Sequence, residues 1–370
     1  MSVAQAVRCD YPIEAVGVRA YKIPTDGRES DGTLEWDSTT LVYVELLSGN
    51  LTGVGYTYAD AATAKLIATV LADVVVGKDG MQTALRWGEM CAAIRNLGRD
   101  GIASMAIAAV DIALWDLKGK AFGLPVCTLL GQARESVPIY GSGGFTSYTV
   151  ERLCEQLQGW VRQGIPRVKM KVGRDPRMDI ERVAAARAAI GDDAELFVDA
   201  NGAYSRKQAL DQARRFAEAR VSWYEEPVYH QDFEGLRQTR DSAPACMEVA
   251  SGEYGYGLYH FARMLDAQTV DVLQADATRC AGISGLLAVD GLCQTKMLPL
   301  STHCAPYAHL HAASACKQLR HMEYFFDHVR IERMLFDGAD EPIDGALRPD
   351  TSRPGIGLEL RRSDAERYAL

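Results

Sequence analysis

The sequence predicts an α/β fold: a (β/α)8 barrel preceded by a small antiparallel sheet with helices, and followed by a segment that returns to that sheet. Three observations predict it. Short apolar segments alternate with amphipathic helical stretches through the middle of the chain, ionisable residues close almost every one of those segments, and the N-terminal region has a two-residue rather than a helical period. A doubly wound sheet would alternate in the same way with fewer units, so the rhythm alone separates the two architectures only in part.

Taken in order, residues 11–24 and 39–58 alternate apolar with polar side chains, as in Leu41, Tyr43 and Glu45 against Val42, Val44 and Leu46, with breaks at Ser48-Gly49-Asn50 and Gly53. That period places successive side chains on opposite faces of a strand. Between them the charged stretch Thr25–Thr33 has no periodicity and reads as a loop, either a lid or a solvated connection. From Ala59 to Gly119 the chain is Ala-rich and helical. Its last helix, from Gly101, carries Met105, Ala108, Ala109 and Ile112 at helical spacing, and Asp111 and Trp115 read there as a partnered polar residue and a packing aromatic. After Gly131, apolar segments begin near Val137, Arg167, Glu195, Ser222, Met247, Asp271, Leu298 and Arg320, separated by helical stretches such as the one carrying Ile180, Val183, Ala184 and Ile190. Beyond residue 330, Pro342, Gly345, Pro349, Pro354, Gly355 and Gly357 break the rhythm, so this segment leaves the barrel.

Composition narrows the function. The 370 residues hold 49 Asp and Glu against 40 Lys and Arg, a formal net charge of −9, and no positive field favours nucleic acid or an anionic membrane. No segment approaches the length of a membrane span, and the N-terminus has no basic stretch leading into a long apolar one, so a soluble cytoplasmic protein is expected. The nine cysteines are odd in number and form no Cys-x-x-Cys pair, which reads as buried thiols in a reducing compartment. The partner expected is a small molecule.

Chemistry concentrates where the apolar segments end. Lys169 and Lys171 close the second, Asp199 the third, Glu225 and Glu226 the fourth, Glu253 the fifth, Asp276 the sixth, His303 the seventh and Glu323 the eighth. In a (β/α)8 barrel those ends converge on one mouth, where active sites form. Asp199, Glu225 and Glu253 would repel one another in a dry mouth unless a cation sat between them, and hard oxygen ligands favour Mg2+. Glu226 points to the opposite face from Glu225 and is set aside as a supporting group. Lys169 and Lys171 share a strand face, so each is expected to lower the other's pKa and make one of them a base near neutrality. Asp276 and His303 end neighbouring strands, where the carboxylate can orient the imidazole. His309 and His311, two apart on a helix, point away from each other and read as structural. The glycine clusters at 141–144 and 252–257 match neither a dinucleotide nor a P-loop motif, so no nucleotide cofactor is expected.

In their order along the chain, Lys169-Met-Lys171, Asp199-Ala-Asn201, Trp223-Tyr-Glu225-Glu226-Pro227, Ser251-Gly-Glu253, Asp276, His303 and Glu323 resemble the mandelate racemase subgroup of the enolase superfamily. The helix ending at Gly119, then Gly123-Leu-Pro125 and Leu129-Leu-Gly131, resembles that family's connector into its barrel. The resemblance covers essentially the whole chain. It implies an N-terminal α+β capping domain over residues 1–130, a modified (β/α)8 TIM barrel over 131–330, and a C-terminal segment, 331–370, that completes the cap. It also implies that Asp199, Glu225 and Glu253 hold one Mg2+, which binds a substrate carboxylate, and that Lys171 and the Asp276–His303 pair are acid/base groups on opposite faces of the substrate. By the same resemblance Lys169 binds the carboxylate and tunes Lys171, Glu323 hydrogen-bonds an enediolate, and Asn201 touches substrate or metal-bound oxygens. Relatives of this kind are commonly homo-oligomers.

The implied chemistry is coherent: a proton α to a carboxylate is a very weak acid, and enolase-superfamily sites remove it with a Lys or His base beside Mg2+. Dehydration of an acid sugar to a 2-keto-3-deoxy acid is the expected outcome, with racemisation or epimerisation of a 2-hydroxy acid as the alternative. By resemblance, Thr25–Trp36 and Gly55–Asp60 close over the substrate and offer Arg28, Glu29, Asp31, Glu35, Tyr56 and Tyr58, of which Arg28 and Tyr56 are taken as substrate-binding residues. A metal-dependent barrel hydrolase would need an early His-x-His, which Val137-Pro-Ile-Tyr-Gly-Ser lacks. A non-catalytic ligand-binding protein would need neither two bases nor a metal triad in one mouth.

Overall fold

In the computed structural model, which describes residues 10–370, β1 (Ala15–Ser30), β2 (Glu35–Ser48) and β3 (Leu51–Tyr58) form an antiparallel N-terminal sheet. The alternation in the sequence sets its two faces. Val42, Val44 and Leu46 bury against the helix Ile102–Phe122, while Tyr21, Leu41, Tyr43 and Tyr56 join the core shared with the barrel. Glycine lets the helix lie directly on β3: a Cβ at Gly55 would stand 2.2 Å from the Ala109 carbonyl oxygen. Asp111 accepts hydrogen bonds from the Ser284 amide and hydroxyl, and Trp115 donates to the same hydroxyl at 3.0 Å, so both residues are structural as expected.

Most of the stretch Thr25–Thr33 is strand rather than loop, and only its last residues form a turn. β1 runs on to Ser30 and β2 starts at Glu35, with a register shift between Pro24 and Glu29. Asp31 closes the hairpin by accepting the Thr33 and Leu34 amides at 2.6 and 2.7 Å. Polar partners rather than an apolar face hold this extension: Trp36 donates to Glu29 at 2.9 Å, and the Ser30 and Thr146 hydroxyls meet at 2.6 Å. Periodicity is therefore absent from a segment that is nonetheless a strand.

The barrel comprises β4 (Val137–Gly143), β5 (Arg167–Lys171), β6 (Glu195–Asp199), β7 (Val221–Glu225), β8 (Glu248–Ser251), β9 (Val272–Ala275), β10 (Leu300–Thr302) and β11 (Leu319–Phe325). Neighbours pair in parallel and β11 pairs with β4, closing the sheet. A helix follows each strand, as the apolar rhythm predicts. The interior below the mouth is filled by Tyr140, Phe197, Trp223 and His321, with Phe197 stacked on Trp223 at 5.2 Å between ring centroids.

After the helix Phe326–Leu335, the chain returns to the cap. Phe336 stacks on Tyr56 at 5.0 Å, Ala346–Leu347 pairs antiparallel with β4, and the Leu370 amide donates to the Ala20 carbonyl. Cys9 lies outside the described residues. The other eight cysteines are free, and five are buried, but Cys246 is exposed in the turn ahead of β8 and Cys91 and Cys154 are half-buried. The expectation of uniformly buried thiols fails at those three. No helix among the described residues is long and apolar enough to cross a membrane.

Glu332, on the helix after β11, accepts the Tyr56 hydroxyl at 2.7 Å and the Tyr307 amide at 3.3 Å, and burial pushes its pKa up to about 8. The folded state therefore holds this proton more tightly than the unfolded chain. Its contribution to stability is complete below the ordinary Glu pKa and is lost as pH rises through about 8. The Glu332→Gln variant is expected to show a smaller fall in Tm between about pH 5 and pH 8.5 than the parent. Parallel Tm-against-pH curves for the two proteins would reject the assignment.

Candidate active site

Strand register assembles the site. Lys171, Asp199 and Glu225 stand side by side at the C-terminal ends of β5, β6 and β7, and one turn of the pleat below them Lys169, Phe197 and Trp223 form the next row. Glu253 follows β8 by two residues. The carboxylates of Asp199, Glu225 and Glu253 are all buried and each offers an oxygen within 4.8 Å of the others. Asp199 accepts the Asn201 amide at 2.9 Å and Glu225 accepts the Trp223 indole at 2.9 Å, which fixes both side chains from behind. Glu253 Oε2 is buried, accepts no hydrogen bond and lies 3.3 Å from His303 Nε2. Burial and then the neighbouring Asp199 push the Glu225 carboxyl up to about 8. Three converging hard oxygen donors, one of them accepting no hydrogen bond, fit a divalent cation of the Mg2+ type.

The lysines depart from the sequence-based expectation. Lys169 Nζ lies 2.6 Å from Glu225 and 2.8 Å from Glu323, and Lys171 Nζ lies 2.5 Å from Asp199. Burial pulls both ammonium groups down, but these carboxylates outweigh it and hold both above the ordinary lysine range. Mutual repulsion of the two lysines is the smaller effect here. At Glu323 burial raises the carboxyl, Lys169, His303 and Lys171 together more than offset that, and the side chain accepts the Cys304 amide at 2.7 Å.

On the other side of the mouth, His303 Nδ1 meets Asp276 Oδ2 at 2.9 Å. Burial opposes charge on His303, yet Glu253 and the Asp276 hydrogen bond hold its pKa above the ordinary value. His309 accepts the Ala277 amide through Nε2 at 2.7 Å and donates from Nδ1 to the Ala305 carbonyl at 2.8 Å, while His311 accepts the Cys127 amide. The two histidines point apart and are structural. His309 also lies 3.5 Å from Asp276, so it braces the carboxylate from behind.

A cavity of about 410 Å3 opens between this mouth and the cap, and Lys171, Asn201, Glu253 and His303 all line it. Asn201 Oδ1 is buried there without a hydrogen-bond partner. Arg28 and Tyr56 do not reach the cavity. Arg28 is exposed and pairs with Glu35 at 3.0 Å, and Tyr56 is fully buried with its hydroxyl committed to Glu332. Tyr58, two residues on, takes the place expected of Tyr56. Sequence reasoning missed Arg279, Cys304 and His328. Arg279 lies three residues beyond Asp276, with its guanidinium 3.4 Å from Glu253 and 3.7 Å from Asp276. Proximity to a strand end was the available signal for Arg279 and Cys304; His328 sits on the helix after β11, where the sequence offered none.

A closed parallel barrel under an antiparallel cap, with three carboxylates, two lysines and a His–Asp pair at one mouth, defines an enolase-superfamily enzyme. Residues 152–365 match the enolase C-terminal domain-like family, and residues 30–131 match the mandelate racemase / muconate lactonizing enzyme N-terminal domain. The chain belongs to the mandelate racemase / muconate lactonizing enzyme family. It is 33% identical to L-talarate/galactarate dehydratase of Salmonella typhimurium, over 83% of this chain and 77% of that protein. A mandelate racemase/muconate lactonizing enzyme-like protein from Rubrobacter xylanophilus is 54% identical and superposes with a TM-score of 0.95, covering 97% of this chain and all of its own. L-Talarate dehydratase from Polaromonas sp. JS666, solved with Mg and L-glucarate, is 29% identical with a TM-score of 0.87, covering 97% of each chain.

Proposed function

We propose that the protein is a Mg2+-dependent acid-sugar dehydratase, which removes the proton α to the substrate carboxylate and eliminates the β-hydroxyl as water to give a 2-keto-3-deoxy acid. One observation carries this reading: Lys171 and the Asp276-bound His303 line the same cavity, beside a buried cluster of three carboxylates. Asp199, Glu225 and Glu253 would hold the ion, whose chemistry is Lewis-acid stabilisation of the charge that develops on the substrate carboxylate. Lys169, buried below this row, adds a fixed positive charge to the same region. Asp276 fixes the imidazole through Nδ1, which leaves Nε2, 3.3 Å from Glu253 Oε2, to carry a proton. One of Lys171 and His303 takes the α-proton; the other delivers a proton to the departing hydroxyl, so that water leaves and the enol product ketonises. The unpartnered Asn201 Oδ1 is placed to accept a substrate hydroxyl. The same pair of groups permits epimerisation when the proton returns to carbon and no β-hydroxyl departs.

The test is a panel of acid sugars with Mg2+, followed for 2-keto product and for α-proton exchange in deuterated water. Product and exchange are expected with at least one member, both abolished by chelation and restored by Mg2+. Exchange without product across the panel would favour epimerisation. Unchanged turnover after verified metal removal would refute the role given to the three carboxylates.

A further inference from the structure

We infer that the substrate is a monocarboxylic sugar acid, an aldonate, and that the cavity discriminates against dicarboxylic sugar acids. This rests on the dehydratase reading above and deepens it. One substrate carboxylate belongs at the Asp199–Glu225–Glu253 cluster, so the question is what the rest of the cavity offers to the far end of the sugar chain.

Cations decide it. Among the described residues that line the cavity, the basic side chains are Lys171, Arg279, His303 and His328. Lys171 is committed to Asp199 at 2.5 Å, Arg279 to Glu253 at 3.4 Å and His303 to Asp276 at 2.9 Å, all at the barrel mouth. His328 Nδ1 accepts the Ala305 amide at 3.2 Å, which leaves the proton on Nε2. Burial, and then repulsion from His303, bring its pKa down to about 3, so this ring is a neutral donor. Arg28 and Arg174, on the outside of the hairpin, both pair with Glu35 and are absent from the cavity lining.

The cap side of the cavity is lined by Trp36, Ser38, Thr40 and Tyr58, together with two acids, Asp31, whose Oδ1 holds the hairpin turn, and Asp60, whose Oδ1 accepts the Ala62 amide. A second substrate carboxylate brought against this wall would lose hydration, gain no free cation, and face two like charges. A terminal hydroxymethyl group or a run of secondary hydroxyls loses less on leaving water and needs no cation.

The experiment compares six-carbon aldonates with the aldarates of matching configuration, using Mg2+-loaded enzyme and reading both 2-keto product and α-deuterium incorporation. Turnover is expected with an aldonate, with kcat/KM for the matched aldarate at least 100-fold lower. A comparable or higher kcat/KM for an aldarate overturns the inference while leaving the dehydratase reading intact. Exchange with no sugar acid of either class overturns both. In a second arm, Ser38→Lys places a cation on the cap wall and is expected to raise the aldarate-to-aldonate ratio of kcat/KM at least tenfold; an unchanged ratio contradicts the charge argument.

Discussion

Replacing His303 with Asn, or Lys171 with Ala, is expected to lower the rate of product formation by about 10²- to 10⁴-fold, the range that a positioned acid or base contributes. The two losses differ in kind. Removing the group that takes the α-proton abolishes both product and deuterium exchange, whereas removing the group that protonates the leaving hydroxyl stops product and leaves exchange running. One variant of each type is therefore expected, and the pattern assigns the abstracting base. His303→Asn keeps a hydrogen-bond donor beside Asp276 while eliminating the proton carrier at Nε2, so the loss reads chemistry rather than collapse of the pair. Lys171→Ala frees a buried Asp199 carboxylate, so thermal unfolding of this variant with Mg2+ present separates loss of fold from loss of function. Parental rates of product and exchange in both variants would reject the assignment of these groups.

The barrel was legible because its strands are short apolar runs, and all but the first end on or near an ionisable residue. The segments expected from near Val137, Arg167, Glu195, Ser222, Met247, Asp271, Leu298 and Arg320 begin within two residues of the observed strands. Parallel strands covered on both faces read as continuous apolar runs, and the mouth interrupts each run at the same height. The three-carboxylate cluster and the Asp276–His303 contact follow from that geometry, since residues at equivalent strand ends become neighbours.

What stayed hidden depends on contacts between distant segments. The hairpin at Thr25–Thr33 is held by Thr146 and Trp36 rather than by its own pattern. Tyr56 and Tyr58 lie on the same strand, and only the presence of Glu332 beneath the first and the cavity beside the second distinguishes them. The sign of the lysine shifts turns on which side chains lie closest: two lysines alone would depress one another, but Glu225, Glu323 and Asp199 stand nearer than the repulsion can overcome. His328 reaches the cavity from the helix after β11, a position that carries no strand-end signature.

The second large effect concerns stability. Asp116, on the helix Ile102–Phe122, is fully buried and joins three parts of the chain. Its Oδ1 accepts the Ile356 amide of the C-terminal segment at 2.8 Å, and its Oδ2 accepts the Val54 amide of β3 at 2.7 Å and pairs with Lys120 at 2.7 Å. Gly355 permits this approach: its φ is +76°, and a Cβ there would stand 2.0 Å from Asp116 Oδ1. Asp116→Ala leaves two interior amides without acceptors and an ammonium without its anion, each buried donor costing about 1–3 kcal/mol. The total expected is about 3–5 kcal/mol, as for breaking a buried charged network from one side. Denaturant unfolding measures the sum, and hydrogen exchange locates it: the Val54 and Ile356 amides are expected to lose protection together, because one side chain holds both. Asp116→Asn keeps one acceptor oxygen and should recover part of the loss. A destabilisation below about 1 kcal/mol, or loss of protection at only one of the two amides, would show that the cap and the returning segment are held together elsewhere.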